Sequence, residues 1–390
     1  MLFNASFALR FRRMRSRGRR EDPYLGAGIG LACALFVLYV YPGFWSPVTS
    51  HFEGTCRAVP MAAGAEDLRI DPGNGLAYIS YFERAAPGPR GLGTGTVMLV
   101  DLNAAEPRVR AALATQPVHF SPTGLSLYAP VSGPKRLFVV NRAQLGKHSV
   151  EVFDQSATGA FTPAETISDR LLWSPTAIVA VGPKQFYVVN DSGFKEQDES
   201  DAKKYVVGKL RGNRGTVVYF DGERARIVAQ GLGMPNGVVV SSDGRTLYVA
   251  ESGENRVQLF DRDPVTGTLK PTRRIGLDVS PHNITMDSDG NLWVNAHPRG
   301  GFSFPTPGER GTWRFPTQVL KVTPGAESGK QVSEIYMNDG SELSGGSVAA
   351  VHGNQLVIGS VTDHKLLLCT QGVSASPLPK PPITGPEKET

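Results

Sequence analysis

Cysteine, net charge and helical periodicity are all scarce in this 390-residue chain, and each shortage excludes something. Residues 1–23 hold seven arginines against Glu21 and Asp22. Set aside from the chain's 41 basic and 36 acidic residues, they leave 34 of each in the remainder. A neutral body offers no nucleic-acid surface, and the pI of about 9.0 belongs to the leader. After residue 50 no apolar pattern keeps helical spacing beyond a turn or two, which excludes a helical body. The 44 glycines and 29 prolines suit a turn-rich β protein instead.

Charge is absent altogether from Tyr24 to Trp45, YLGAGIGLACALFVLYVYPGFW. About 20 such residues cross a bilayer as a helix, with Tyr24, Tyr39, Tyr41 and Trp45 at interfacial depth. The arginine-rich flank keeps residues 1–23 cytoplasmic and sends the body to the extracytoplasmic side (periplasm, lumen or exterior). A cleaved signal peptide is the alternative, but the run is long and no small-x-small site follows it. Of the three cysteines, Cys33 lies in this run. Cys56 and Cys369 sit one near each end of the body. In an exported domain such a pair favours one disulfide, closing the first strand onto the last; two unrelated buried thiols are the other reading.

What the body does contain is a repeat. NGLAYIS (74–80), KRLFVVN (135–141), KQFYVVND (184–191), GRTLYVAES (244–252), GNLWVNAHP (290–298) and NQLVIGSV (354–361) place Leu76, Leu137, Phe186, Leu247, Leu292 and Leu356 at spacings of 45 to 64 residues. Upstream of each lies another apolar strand with a polar or small opening: AEDLRI, SPTGLSLY, SPTAIVAVG, MPNGVVVS, SPHNITMD and SGGSVAAV. A third strand follows most pairs, as in GTVMLVDL and GTVVYFDG. Six repeats of this length, each a small sheet, predict an all-β six-bladed propeller over 50–372, preceded by one transmembrane helix over 24–45. The Pro-rich tail, 373–390, is expected to be disordered.

The innermost strands of a propeller converge on its axis. That puts Glu66 and Asp67, Thr123, Thr176, Asn236, His282 and Asn283, and Ser347 around one polar well. A carboxylate, two amides and a hydroxyl are oxygen donors suited to Ca²⁺, with Glu66, Asn236 and Asn283 on the ion. Such an ion stabilises the oxyanion of an ester or lactone under attack. His282 is a candidate general base or ligand, and imidazole would favour a different divalent metal. His297 is placed in the pocket wall, His119 near the mouth, and Asp191 behind a histidine. The sequons at Asn190 and Asn283 fall inside the well and are discounted.

These motifs, in order from AEDLRIDPGNGLAYIS through MPNGVVVSSDGRTLYVAE and HNITMDSDGNLWVNAHP to GSVAAVHGNQLVIGSV, resemble the serum paraoxonase/arylesterase family of calcium-dependent lactonases. They are more distantly similar to gluconolactonase and strictosidine-synthase-like propellers. The resemblance implies a terminal disulfide at Cys56 and Cys369 and a catalytic calcium on Glu66, Asn236 and Asn283. Thr176 stands for a third asparagine ligand, and His282 for an aspartate. It implies a second, structural calcium on Asp67 and a carbonyl near Leu125, whose other aspartate has become Ala177. The family's water-activating histidine pair falls on Thr123 and Arg142, neither of them a base at neutral pH. Three functions remain open: a metal-dependent esterase or lactonase whose base is His282 or water; a binder of small ligands; an interaction propeller with a vestigial well. The segments 194–212 and 299–316, the latter with Phe302, Phe304, Trp313 and Phe315, carry no recognisable substrate signature.

Overall fold

The computed structural model describes residues 48–62, 64–82, 95–142, 148–192, 214–298, 306–307 and 313–372. The expected anchor at 24–45 and the tail at 373–390 lie outside them. Among the described residues no helix is long and apolar enough to cross a membrane. The described strands form six four-stranded antiparallel sheets, the fifth extended by one short strand, plus a separate two-stranded ribbon. The propeller expected from the repeat is therefore the observed fold. The innermost strands are Ala65–Asp71, Pro122–Tyr128, Pro175–Ala180, Pro235–Val240, Ser280–Met286 and Gly346–His352.

Each inner strand turns back into its neighbour, by two residues in the sixth blade and by seven in the second. In the Ser288-Asp289-Gly290 turn, Asp287 accepts from the backbone of Asn291, and Gly290 takes the positive φ of 81° that a side chain would resist. The second strands are runs of β-branched and aromatic residues, such as LFVV at 137–140 and YVV at 187–189, and they are buried on both faces. Blade faces meet in six apolar seams. Val59, Leu68 and Val348 join the sixth blade to the first; Tyr78, Leu125 and Phe153 join the first to the second. Trp293, Val319 and Leu356 join the fifth to the sixth. Each fully buried Val, Leu or Phe contributes about 1.5–3 kcal/mol, so no blade is stable without its neighbours.

The ring is latched by exchange of chain ends. Gly54–Pro60, before the first blade, is the outermost strand of the sixth. It pairs with Lys365–Gln371 in unbroken register, and Cys56 opposite Cys369 forms the disulfide across a separation of 313 residues. The extra strand on the fifth blade is His51–Phe52, paired with Tyr336 and Met337. Nothing in the repeat pattern marked it.

Candidate metal centre at the propeller mouth

All six inner strands break register with their partners at their opening residues. Glu66, Thr176, Asn236 and Ser347 are each the extra residue between two paired positions, and residues 123–124 and 282–283 form wider gaps. Such bulges lift a residue out of the ladder and re-aim its side chain. Four of the six are preceded by proline (Pro122, Pro175, Pro235, Pro281), a residue tolerated at strand starts and bulges. The bulge was the signal inside the S-P and M-P openings that strand alternation could not reveal.

Hydrogen bonds then carry the openings around the ring. Leu125 N–H donates to Asp67 Oδ2 at 3.0 Å, joining the second blade to the first. Thr176 Oγ1 lies 3.3 Å from the carbonyls of Pro235 and Val189, and farther along the inner strands Ala180 N–H donates to Ser126 Oγ at 2.9 Å. Ser280 Oγ donates to the Ser252 carbonyl at 3.0 Å. The imidazole of His282 meets the Ser347 carbonyl at 2.8 Å, and Ser347 Oγ donates to the Ala65 carbonyl at 2.5 Å. One bond crosses the mouth directly: Asn283 Nδ2 donates to the Glu66 carbonyl at 2.7 Å, over 217 residues of sequence. Asn236 sits beside Gly237, where a Cβ would lie 2.6 Å from Ile284 N and 3.0 Å from the His282 carbonyl.

These contacts orient the polar groups. A carbonyl cannot donate, so Nδ1 of His282 carries the hydrogen towards Ser347, and in the neutral ring Nε2 is then the acceptor nitrogen. The Asn283 amide is fixed likewise: Nδ2 is spent on Glu66, which leaves Oδ1 as the acceptor. Glu66 and Asn283 are buried; Thr176, Asn236 and His282 are half-buried. Among the described residues no three His, Cys, Asp or Glu side chains cluster as metal ligands. A set here would instead be one carboxylate with amide, hydroxyl and imidazole donors.

The family model for Arylesterase matches residues 54–371. Human serum paraoxonase/arylesterase 1 is 32% identical over 318 residues, covering 79% of this chain and 86% of its own. The rat serum paraoxonase/arylesterase 1 is 32% identical over 363 residues, covering 87% and 98%. The chain belongs to the arylesterase family. A luciferin-regenerating enzyme, at 12% identity and a TM-score of 0.51 over 83% of this chain and 97% of that one, shares the fold.

Within this arylesterase-family propeller, neither position that the resemblance assigns to the histidine pair carries an imidazole. Arg142 Nη1 lies 3.6 Å from Asp191 Oδ2, so Asp191 faces a guanidinium rather than an imidazole. Thr123 has its hydroxyl buried without a hydrogen-bond partner, while its carbonyl accepts from Ser80 Oγ. His297 packs edge-on against His282, ring centroids 5.4 Å apart. Burial, with His282 beside it, pushes its pKa down to about 3, so it is neutral. His119 is exposed, with a positive φ of 60°. Both sequon asparagines are buried, Asn190 with its amide bonded to Leu171 and Thr216. Asp67, expected on the second calcium, accepts from the Leu68 and Leu125 amides and from Arg69.

Two residues were missed by sequence reasoning. Asn295, fully buried opposite the 282–283 bulge, has neither side-chain atom hydrogen-bonded. It lies two residues from His297, in the same NAHP phrase. Arg69 was read only as part of an inner strand. Between the fifth and sixth blades, Arg314, Phe315, Ser344, Thr362, His364 and Lys365 line a polar cavity of about 490 Å³, which shares no residue with the mouth set.

Proposed function

We propose that this protein is a metal-dependent carboxylic-ester hydrolase that opens a lactone or aryl ester at the propeller mouth. The cation is held by Glu66, Asn236 and Asn283, with Thr176 and His282 alongside. The observation that carries this reading is the bond from the Asn283 amide to the Glu66 backbone carbonyl, which brings the bulged openings of the fifth and first blades together. An oxygen-dominated shell of this kind suits Ca²⁺, with another divalent ion admitted by His282. Bound there, the ion supplies a positive charge for the oxyanion that develops as the ester carbonyl is attacked. His282, held through Nδ1–H by the Ser347 carbonyl, presents Nε2 to take a proton from the attacking water. Neutral His297 adds no competing charge behind it. Thr123, Asp191 and His297 form the pocket wall.

The Arg142–Asp191 pair favours a second reading. A guanidinium where a base is expected suits a propeller that binds a small acid or ester without turning it over. Purified protein offered a panel of lactones and aryl esters, with and without chelator, separates the two. Turnover that chelator abolishes and calcium restores supports the hydrolase. Binding without turnover supports the second reading, and indifference to both metal and ligand removes both. We further propose that residues 24–45 anchor the chain, leaving 1–23 cytoplasmic and the propeller extracytoplasmic. The charge-free run and the disulfide, at home in an oxidising compartment, support that placement.

A further inference from the structure

Next in sequence to Glu66, Asp67 is 1% exposed at the seam between the first and second blades, and both its oxygens face donors. Oδ1 accepts from Arg69 Nη1 at 2.6 Å and from Leu68 N–H at 2.8 Å; Oδ2 accepts from Leu125 N–H at 3.0 Å. A metal ion binds lone pairs, yet Leu125 turns its N–H, not its carbonyl, to this carboxylate. The second carboxylate that such an ion needs is Ala177, fully buried. The guanidinium is itself a fixed positive charge. Arg69 Nη1 also donates to the Leu68 carbonyl at 2.7 Å, which holds it in place. A divalent ion on the same carboxylate would meet that charge at close range in a buried setting, where repulsion is strong. The residues present do not fit a second ion.

We propose that Arg69 takes the place of the structural cation that the family resemblance implies, so that the seam between the first two blades is closed by a cation of the chain itself. One blade-one carboxylate then ties the first blade to the second through the Leu125 amide, with its charge balanced from its own strand. Four residues on, Asp71 repeats the arrangement with Lys135 of the second blade. The propeller thus keeps its ring without a structural metal, and chelation empties the mouth without unfolding the protein. This inference rests on the proposed function only in taking Glu66 as the carboxylate of the one remaining ion.

The test uses the full-length chain in detergent, with melting temperature and elemental metal analysis as readouts. In Glu66→Gln, whose mouth site is disabled, the melting temperature is expected to agree within about 2 °C between millimolar calcium and millimolar chelator, with no calcium retained. Calcium retained by that variant, together with a chelator-induced fall of roughly 5 °C or more, overturns the inference. The converse is Arg69→Met combined with Ala177→Asp, which removes the guanidinium and returns the carboxylate. Its melting temperature is expected to rise by about 5–10 °C in millimolar calcium, with one additional ion bound. Should that double variant not fold, the Glu66→Gln comparison decides alone. Wild-type protein that hydrolyses nothing and binds no ion would sink the proposed function, while a chelator-insensitive melt in Glu66→Gln would still support Arg69 as the substitute.

Discussion

Glu66 and Asp67 are neighbours in sequence but belong to two differently built regions of the mouth. On the side of the fifth and sixth blades, neutral donors meet backbone carbonyls: Asn283 on Glu66, His282 on Ser347, Ser347 on Ala65. On the side of the first and second blades a charge meets a charge, Asp67 with Arg69, and Asp71 with Lys135 does the same at the far end of that inner strand. A donor nitrogen spent on a carbonyl leaves the amide oxygen of Asn283 as an acceptor turned away from that bond. Matched charges leave nothing to offer. Burial is alike on both sides; the polarity of the partners separates a site from a strut.

The sharpest way to break this contrast is to neutralise each carboxylate in turn. Glu66→Gln is expected to lower kcat/KM for any lactone or aryl ester by at least about 10²-fold with the fold intact, read by initial rates beside circular dichroism. Asp67→Asn should do the reverse. It strands a buried guanidinium at a cost of about 3–5 kcal/mol, read by denaturant unfolding, and leaves kcat/KM of the folded fraction within about threefold. Equal activity losses in the two would erase the distinction. The latch is a covalent control far along the chain from either. Cys56→Ser with Cys369→Ser is expected to cost about 2–5 kcal/mol of stability, with turnover at low temperature retained.

A smaller effect tests the neutral side alone. Asn283→Ala removes the bond across the mouth and should cost about 1–3 kcal/mol of stability together with most of the cation affinity, measured by calcium titration. The smallest expected effect lies at neither site. Between the third and fourth blades, Tyr187 donates to the Gly267 carbonyl at 3.0 Å and accepts from Arg262 at 2.9 Å, and burial pushes its pKa up to about 12. The unfolded phenol ionises near pH 10 while the native one keeps its proton. Stability from this group is therefore complete below pH 10 and falls as pH rises towards 12. Tyr187→Phe should flatten that part of the stability profile at a cost of about 1–2 kcal/mol. An unchanged alkaline limb would remove the assignment.

The blades were legible because each is a local pattern. An inner strand with a polar opening, a turn and a buried second strand all fall within some 20 residues, as in Ser280 to Pro298. The circle of openings followed from closure of the ring. The bulges did not, because alternation along a strand counts residues and cannot say which one its partner skips. Arg69 was invisible for a related reason: a basic residue on an inner strand reads as a solvated side chain until its carboxylate is known to be buried. Asp191 was expected behind a histidine, but the residue facing it is Arg142, chosen by how the second and third blades pack.

By itself, then, the order of residues determined six repeating strand groups, the neutral body behind a basic leader, and the chemical types gathered at the inner strand ends. These are short-range facts, set by apolar alternation and turn chemistry. Only the closed ring decided that Asn283 reaches Glu66, that His282 meets the Ser347 carbonyl, and that Asp67, answered by Arg69 of its own strand, also takes the Leu125 amide of the next blade. Those depend on which donor lies within about 3 Å once distant strands are pressed together, a distance set by packing of whole blades rather than by any single segment.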